Sequence, residues 1–87
     1  MARYELRFKR SVTKDLRGIS KTDVSRLLKR IDALRDEPRP LGCEKLAGKE
    51  LYRIRQGVYR VVYSVDDSQV VIEVIKIGHR REIYQSN

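Results

Sequence analysis

The stretch from Tyr52 to Tyr63 reads YRIRQGVYRVVY and holds three arginines and three tyrosines without a carboxylate among them. A guanidinium is permanently charged and presents a planar fork of N–H donors that fits the oxygens of a phosphate or carboxylate. Arginines gathered on one surface therefore make a site for an anion. Side chains alternate along a strand, which puts Arg53 and Arg55 on one face and Tyr52 and Ile54 on the other. In an antiparallel hairpin Arg60 falls across from the Arg53 and Arg55 side. Three like charges on one surface repel one another unless an anion joins them. The structural alternative is that strand arginines stay exposed for solubility or to protect an edge.

Other residues offer less chemistry. His79 is the single histidine; it is a candidate acid or base by its ordinary pKa, or else a packing or phosphate-binding residue. Cys43 is the only cysteine, with no disulfide partner and no Cys or His at ligand spacing, so it reads as a filler in a chain from a reducing compartment. Asp66-Asp67-Ser68 reads as a turn in which aspartate makes local hydrogen bonds, and no metal or cofactor is expected. Glu73 and Lys76 interrupt an apolar last strand and read as a cross-strand pair or as edge exposure. Tyr52, Tyr59 and Tyr63 are expected in the core.

The elements that must position the arginines follow from periodicity. Tyr4, Leu6 and Phe8 alternate with charged residues and predict a first strand. Val12, Leu16 and Ile19 have helical spacing and predict a short helix that ends near Gly18 and Ser20. Val24, Leu27, Leu28, Ile31 and Leu34 predict a second helix over roughly residues 21–36, with Ser20 and Thr22 as capping candidates and Pro38 and Pro40 beyond its end. Residues 51–55, 58–65 and 69–77 then read as strands separated by turns at Gln56-Gly57 and at 66–68. The expectation is one α+β domain over residues 1–87 in the order βααβββ. Its helix hairpin packs on one face of a small, mainly antiparallel sheet and leaves the arginine face uncovered.

A formal net charge of +8 on 87 residues attracts polyanions, nucleic acid first among them. Residues 1–43 carry twelve Lys/Arg against six Asp/Glu, and residues 44–87 carry eight against six. Much of the excess thus reads as a solvated helix face that helps to draw RNA in. No apolar run approaches a membrane span, and the protein is expected to be cytoplasmic, with no membrane partner.

In order and spacing these segments resemble the RelE branch of the RelE/ParE toxin superfamily, the toxins of bacterial and archaeal toxin–antitoxin pairs. The residues that carry the resemblance are Lys45-Leu46 and Gly48 ahead of Tyr52-Arg53-Ile54, then Gly57 with Tyr59-Arg60-Val61-Val62-Tyr63, then Ile77-Gly78-His79-Arg80 and Tyr84. The resemblance implies a RelE-like fold and a ribosome-dependent, metal-independent endoribonuclease (mRNA interferase) in which the ribose 2′-hydroxyl of the message attacks its own 3′-phosphate. It also implies three partners: the ribosome, mRNA and a cognate RelB-like antitoxin. By the same resemblance, Arg53 and Arg55 stand where two basic residues orient and activate the nucleophile, and Arg60 matches a phosphate-stabilising arginine. Arg80 matches the proposed acid at the leaving 5′-oxygen, and Tyr84 the tyrosine that stacks on or orients substrate. Lys45, Lys49 and Arg81 are expected to bind RNA. The chain departs from the family pattern in having arginines rather than lysines at 53 and 55 and Ala47 in place of a further basic residue. A ParE-like toxin that inhibits DNA gyrase by binding, without nuclease activity, shares the fold and is the alternative reading.

Overall fold

The apolar stripe of the second helix places Leu27, Ile31 and Leu34 against the sheet, and all three are fully buried. In the computed structural model, which describes residues 3–46 and 50–79, the elements are β1 (Glu5–Phe8), α1 (Val12–Arg17), α2 (Lys21–Ala33), β2 (Glu44–Lys45), β3 (Leu51–Gln56), β4 (Tyr59–Asp66) and β5 (Val71–His79). The Ser20 hydroxyl accepts the backbone N–H of Asp23 at 3.3 Å and caps α2, which satisfies one of the otherwise orphaned N–H groups of the first turn. The α-helix ends at Ala33, earlier than the expected residue 36. Leu34, Arg35 and Asp36 instead donate to carbonyls three residues back, the tighter turn common at helix ends. Leu28 was expected in the buried stripe but is 40% exposed. It faces outward with Leu16, Ile19 and Val24 into the groove between the helices.

The strands form one sheet in the order β1-β5-β4-β3-β2. Only the β1 and β5 pair is parallel; the other pairs are antiparallel. Tyr52, Ile54, Val61, Tyr63, Val65, Ile72, Val74 and Ile77 meet Val12 and the α2 stripe in a single core, so both helices cover the same face. The Tyr63 hydroxyl donates to the Pro38 carbonyl at 2.7 Å, and burial pushes its pKa upward. Tyr52 stacks on Tyr63 at 5.8 Å. Arg39 reaches over the Tyr52 ring and pairs with Asp67 at 2.8 Å, while the Tyr4 hydroxyl donates to the same carboxylate. These contacts tie the loop after α2 to the β4–β5 turn. Asp66 makes the local turn bonds expected of it, accepting from the Ser68 and Gln69 backbone N–H groups, whereas Asp67 makes this long-range pair instead.

Three features depart from the sequence expectation. The first is β2, whose two residues are too short to show a period. The second is β5, which lies between β1 and β4 rather than at an edge. The third is the bulge between Val62 and Tyr63, which pair with Lys76 and Val74 respectively and leave Ile75 as the extra residue. A bulge of this kind restores facing after an odd spacing. Glu73 and Lys76 therefore share one face although they are three residues apart.

Candidate anion-binding site on the sheet

The face of the sheet opposite the helices carries the arginines. Register places Arg55 directly across from Arg60, Arg53 across from Val62, and Glu44 of β2 across from Arg53. Gly78 lies across from Arg60 and Lys76 across from Val62 on the same face. The three hairpin arginines are thus brought together as the alternation predicts, and Lys76 joins them, a cation that the bulge concealed from sequence reasoning.

The three arginines occupy different environments. Arg55 is exposed. Arg53 keeps 14% of its side-chain surface and donates from Nη2 to Glu44 Oε2 at 2.8 Å. Arg60 is 3% exposed, a buried charge in the middle strand of the sheet. The expectation of an uncovered face is corrected here: Arg60 and Val62 are both buried. Like charges directly opposite one another on antiparallel strands destabilise the pair, and burying a charge costs more unless it is compensated.

Sequence reasoning also missed an anion. No carboxylate lies between residues 52 and 63, but Glu44 reaches the arginine face from the neighbouring strand. Its carboxyl is held below the ordinary carboxylate range by the hydrogen bond from Arg53, by the charge of Arg53, and less strongly by the charges of Arg55 and Arg60. Its only sequence signal is a position shortly ahead of the LYRIR strand.

Two expected site residues fall elsewhere. His79 is across from Tyr59, with the rings edge to face at 6.2 Å. It lines a cleft of about 450 Å³ with Lys14, Asp15 and Gly18 on the helix side, because it is one residue out of phase with Gly78. Lys45 is across from Tyr52 and pairs with Glu50 at 3.6 Å, so its register position belongs to the helix side as well. Lys49, Arg80, Arg81 and Tyr84 lie outside the described residues. Among the described residues, no group of three or more His, Cys, Asp or Glu side chains could hold a metal ion, and no helix is long and apolar enough to cross a membrane.

The helix hairpin thus covers one face of the sheet and the arginines gather on the other. A family profile described as ParE toxin of type II toxin–antitoxin system, parDE, matches residues 6–84. A RelE-like toxin protein of Escherichia coli is 31% identical over 81 residues, covering 90% of this chain and 84% of that protein. The RelE–RelB complex of Pyrococcus horikoshii superposes with a TM-score of 0.80 at 36% identity, over 88% of this chain and 94% of that one. A mutant of E. coli RelE in the free state superposes with a TM-score of 0.78 at 32% identity, over 98% and 93% of the two chains. The chain belongs to the RelE/ParE superfamily and is a RelE-type toxin of a type II toxin–antitoxin pair.

Proposed function

We propose that this toxin is an endoribonuclease that cuts mRNA on the ribosome, using the arginine face to bind the phosphate being cleaved. In this reaction the 2′-oxygen forms a bond to phosphorus while the bond from phosphorus to the 5′-oxygen breaks. The products are a 2′,3′-cyclic phosphate and a 5′-hydroxyl. The proton leaves the 2′-hydroxyl and an equivalent proton is delivered to the 5′-oxygen. The observation that carries this reading is the register that sets Arg55 directly across from buried Arg60 on the face away from the helices, two guanidinium groups that one phosphate can bridge. Charge on the nonbridging oxygens grows toward the transition state, so fixed guanidinium donors bind that state more tightly than the substrate.

Roles follow from environment. Arg60, held rigidly by burial, binds the phosphate; Arg53 and Arg55 orient the nucleophile and add charge. None of them serves as the base, because a guanidinium does not give up its proton in a protein. Solvent or the ribosome removes the proton, and the ribosome holds the message in attack geometry, which is itself a large part of the barrier reduction. Arg80 and Tyr84 complete the set by family resemblance, as the group at the leaving oxygen and the residue that stacks on substrate. His79, on the other face of the sheet, is left to packing. The natural inhibitor is a RelB-like antitoxin, since RelE–RelB complexes are among the structural matches, and an acidic or apolar segment of it would neutralise a cationic face of this kind.

The alternative is a gyrase inhibitor, favoured by the ParE description of the matching family profile. Primer extension on an abundant message after induction of the toxin separates the two. Discrete cuts between codon positions with intact chromosomal DNA are the expected result, and intact messages with gyrase-linked DNA breaks would overturn the nuclease reading.

A further inference from the structure

The ion pair between Glu44 and Arg53 is asymmetric. Arg53 keeps 14% of its side-chain surface, whereas Glu44 keeps 50%. The cation is the fixed partner and the carboxylate the releasable one. β2 is two residues long and lies at the sheet edge, so little structure must be undone for Glu44 to leave. The other described acids near the sheet are engaged elsewhere: Glu50 with Lys45, Asp67 with Arg39 and Glu5 with Arg7. Glu73 lies across from Arg7. Glu44 feels all three hairpin arginines.

We propose that Glu44 is a specificity-determining residue of the arginine face: its carboxylate occupies in the free toxin the place that a substrate phosphodiester takes, and must be displaced for the phosphodiester to bind. A carboxylate and a phosphate present the same pair of acceptor oxygens to a guanidinium fork. An anion tethered beside the site competes at an effective concentration of about the millimolar range, which dilute RNA in solution does not match. A message already immobilised against the toxin does match it. Glu44 thereby selects against loose anions and for a phosphodiester delivered in place, a form of specificity set by competition rather than by contacts to bases. This rests on reading the face as a phosphodiester site, and it is independent of which enzyme step follows.

The test uses inorganic phosphate as the probe and the arginine Nε–H resonances of the intact, isotope-labelled toxin as the readout. Glu44→Gln keeps the shape and removes the charge; Glu37→Gln, at an exposed position in the loop after α2 and outside the sheet, removes the same charge. Glu44→Gln is expected to bind phosphate about three- to fivefold more tightly at Arg53, Arg55 and Arg60, the range a half-exposed ion pair is worth as an equilibrium constant. Glu37→Gln is expected to match the wild type. A residue needed only to brace Arg53 would give the opposite sign, so unchanged or weaker binding in Glu44→Gln overturns the proposal. Equal gains in both variants would also overturn it, since net charge alone would then explain them. The same spectra show whether β2 still pairs with β3. A gain at the arginine face together with no cleavage of ribosome-bound message would leave this inference standing and reject the nuclease reading.

Discussion

Single acidic residues in this protein are held ionised by specific donors, and this sets its response to acid. Asp67 accepts from Arg39 at 2.8 and 3.2 Å and from the Tyr4 hydroxyl at 2.7 Å, and these bonds hold its carboxyl below the ordinary range. Glu44 and Asp66 are held down likewise, by Arg53 and by Ser68 respectively. A carboxyl whose folded pKa lies below its unfolded value contributes stability that is fully present above the unfolded value and is lost as pH falls through the folded one. Thermal unfolding followed over a pH series should therefore show Tm falling as pH drops below the ordinary carboxylate range. Asp67→Asn should have a lower Tm at neutral pH and a shallower acid decline. Parallel declines in the two proteins would show that Asp67 is not among the groups responsible. At this scale the sequence located the arginines and the Asp66 turn, because alternation and turn chemistry are local. It misplaced His79 and Lys45 and overlooked Glu44 and Lys76, because which face a residue occupies depends on register and on one bulge.

Among the elements, the helices and β3, β4 and β5 were legible from apolar periodicity, and their ends were off by a few residues. The β3–β4 connection shows why. The turn residues are Gly57 and Val58, between paired Gln56 and Tyr59, and Gly57 has φ +62°. A glycine with positive φ at the first central position suits the type II′ turn that matches strand twist. The β4–β5 turn carries the opposite feature, because Val70 has φ 59°, a conformation in which a β-branched residue is strained. The two positions should respond with opposite signs. Gly57→Ala should lose roughly 1–2 kcal/mol from the left-handed backbone alone. Val70→Asn should gain about 1 kcal/mol by removing strain of the size such residues carry. Urea unfolding midpoints at a constant m-value check both, and a loss in Val70→Asn would mean that its half-buried side chain outweighs the strain. β2 remained hidden because a two-residue strand has no periodicity; only the pairing partner reveals it.

For the whole molecule, charge and topology act together. A net charge of +8 attracts a polyanion at long range, and the helix hairpin covers one face of the sheet so that the other can gather cations. The layer arrangement was legible in the sequence, since two amphipathic helices with a short connection must bury their stripes on one side of a sheet. The burial of Arg60 was not legible, because alternation tells which face a side chain takes and not how far that face is covered. The central claim is that this buried, fixed guanidinium stabilises a cleaving phosphate. It is tested most directly by single-turnover cleavage of a defined message on programmed ribosomes with Arg60→Gln, alongside His79→Ala, after Tm and ribosome binding of each variant have been matched to the wild type. The account predicts that Arg60→Gln slows cleavage about 100-fold or more, the scale of removing one preorganised donor to a developing oxyanion, while His79→Ala changes the rate little. Cleavage at the wild-type rate by Arg60→Gln, with loss of activity in His79→Ala, would contradict it.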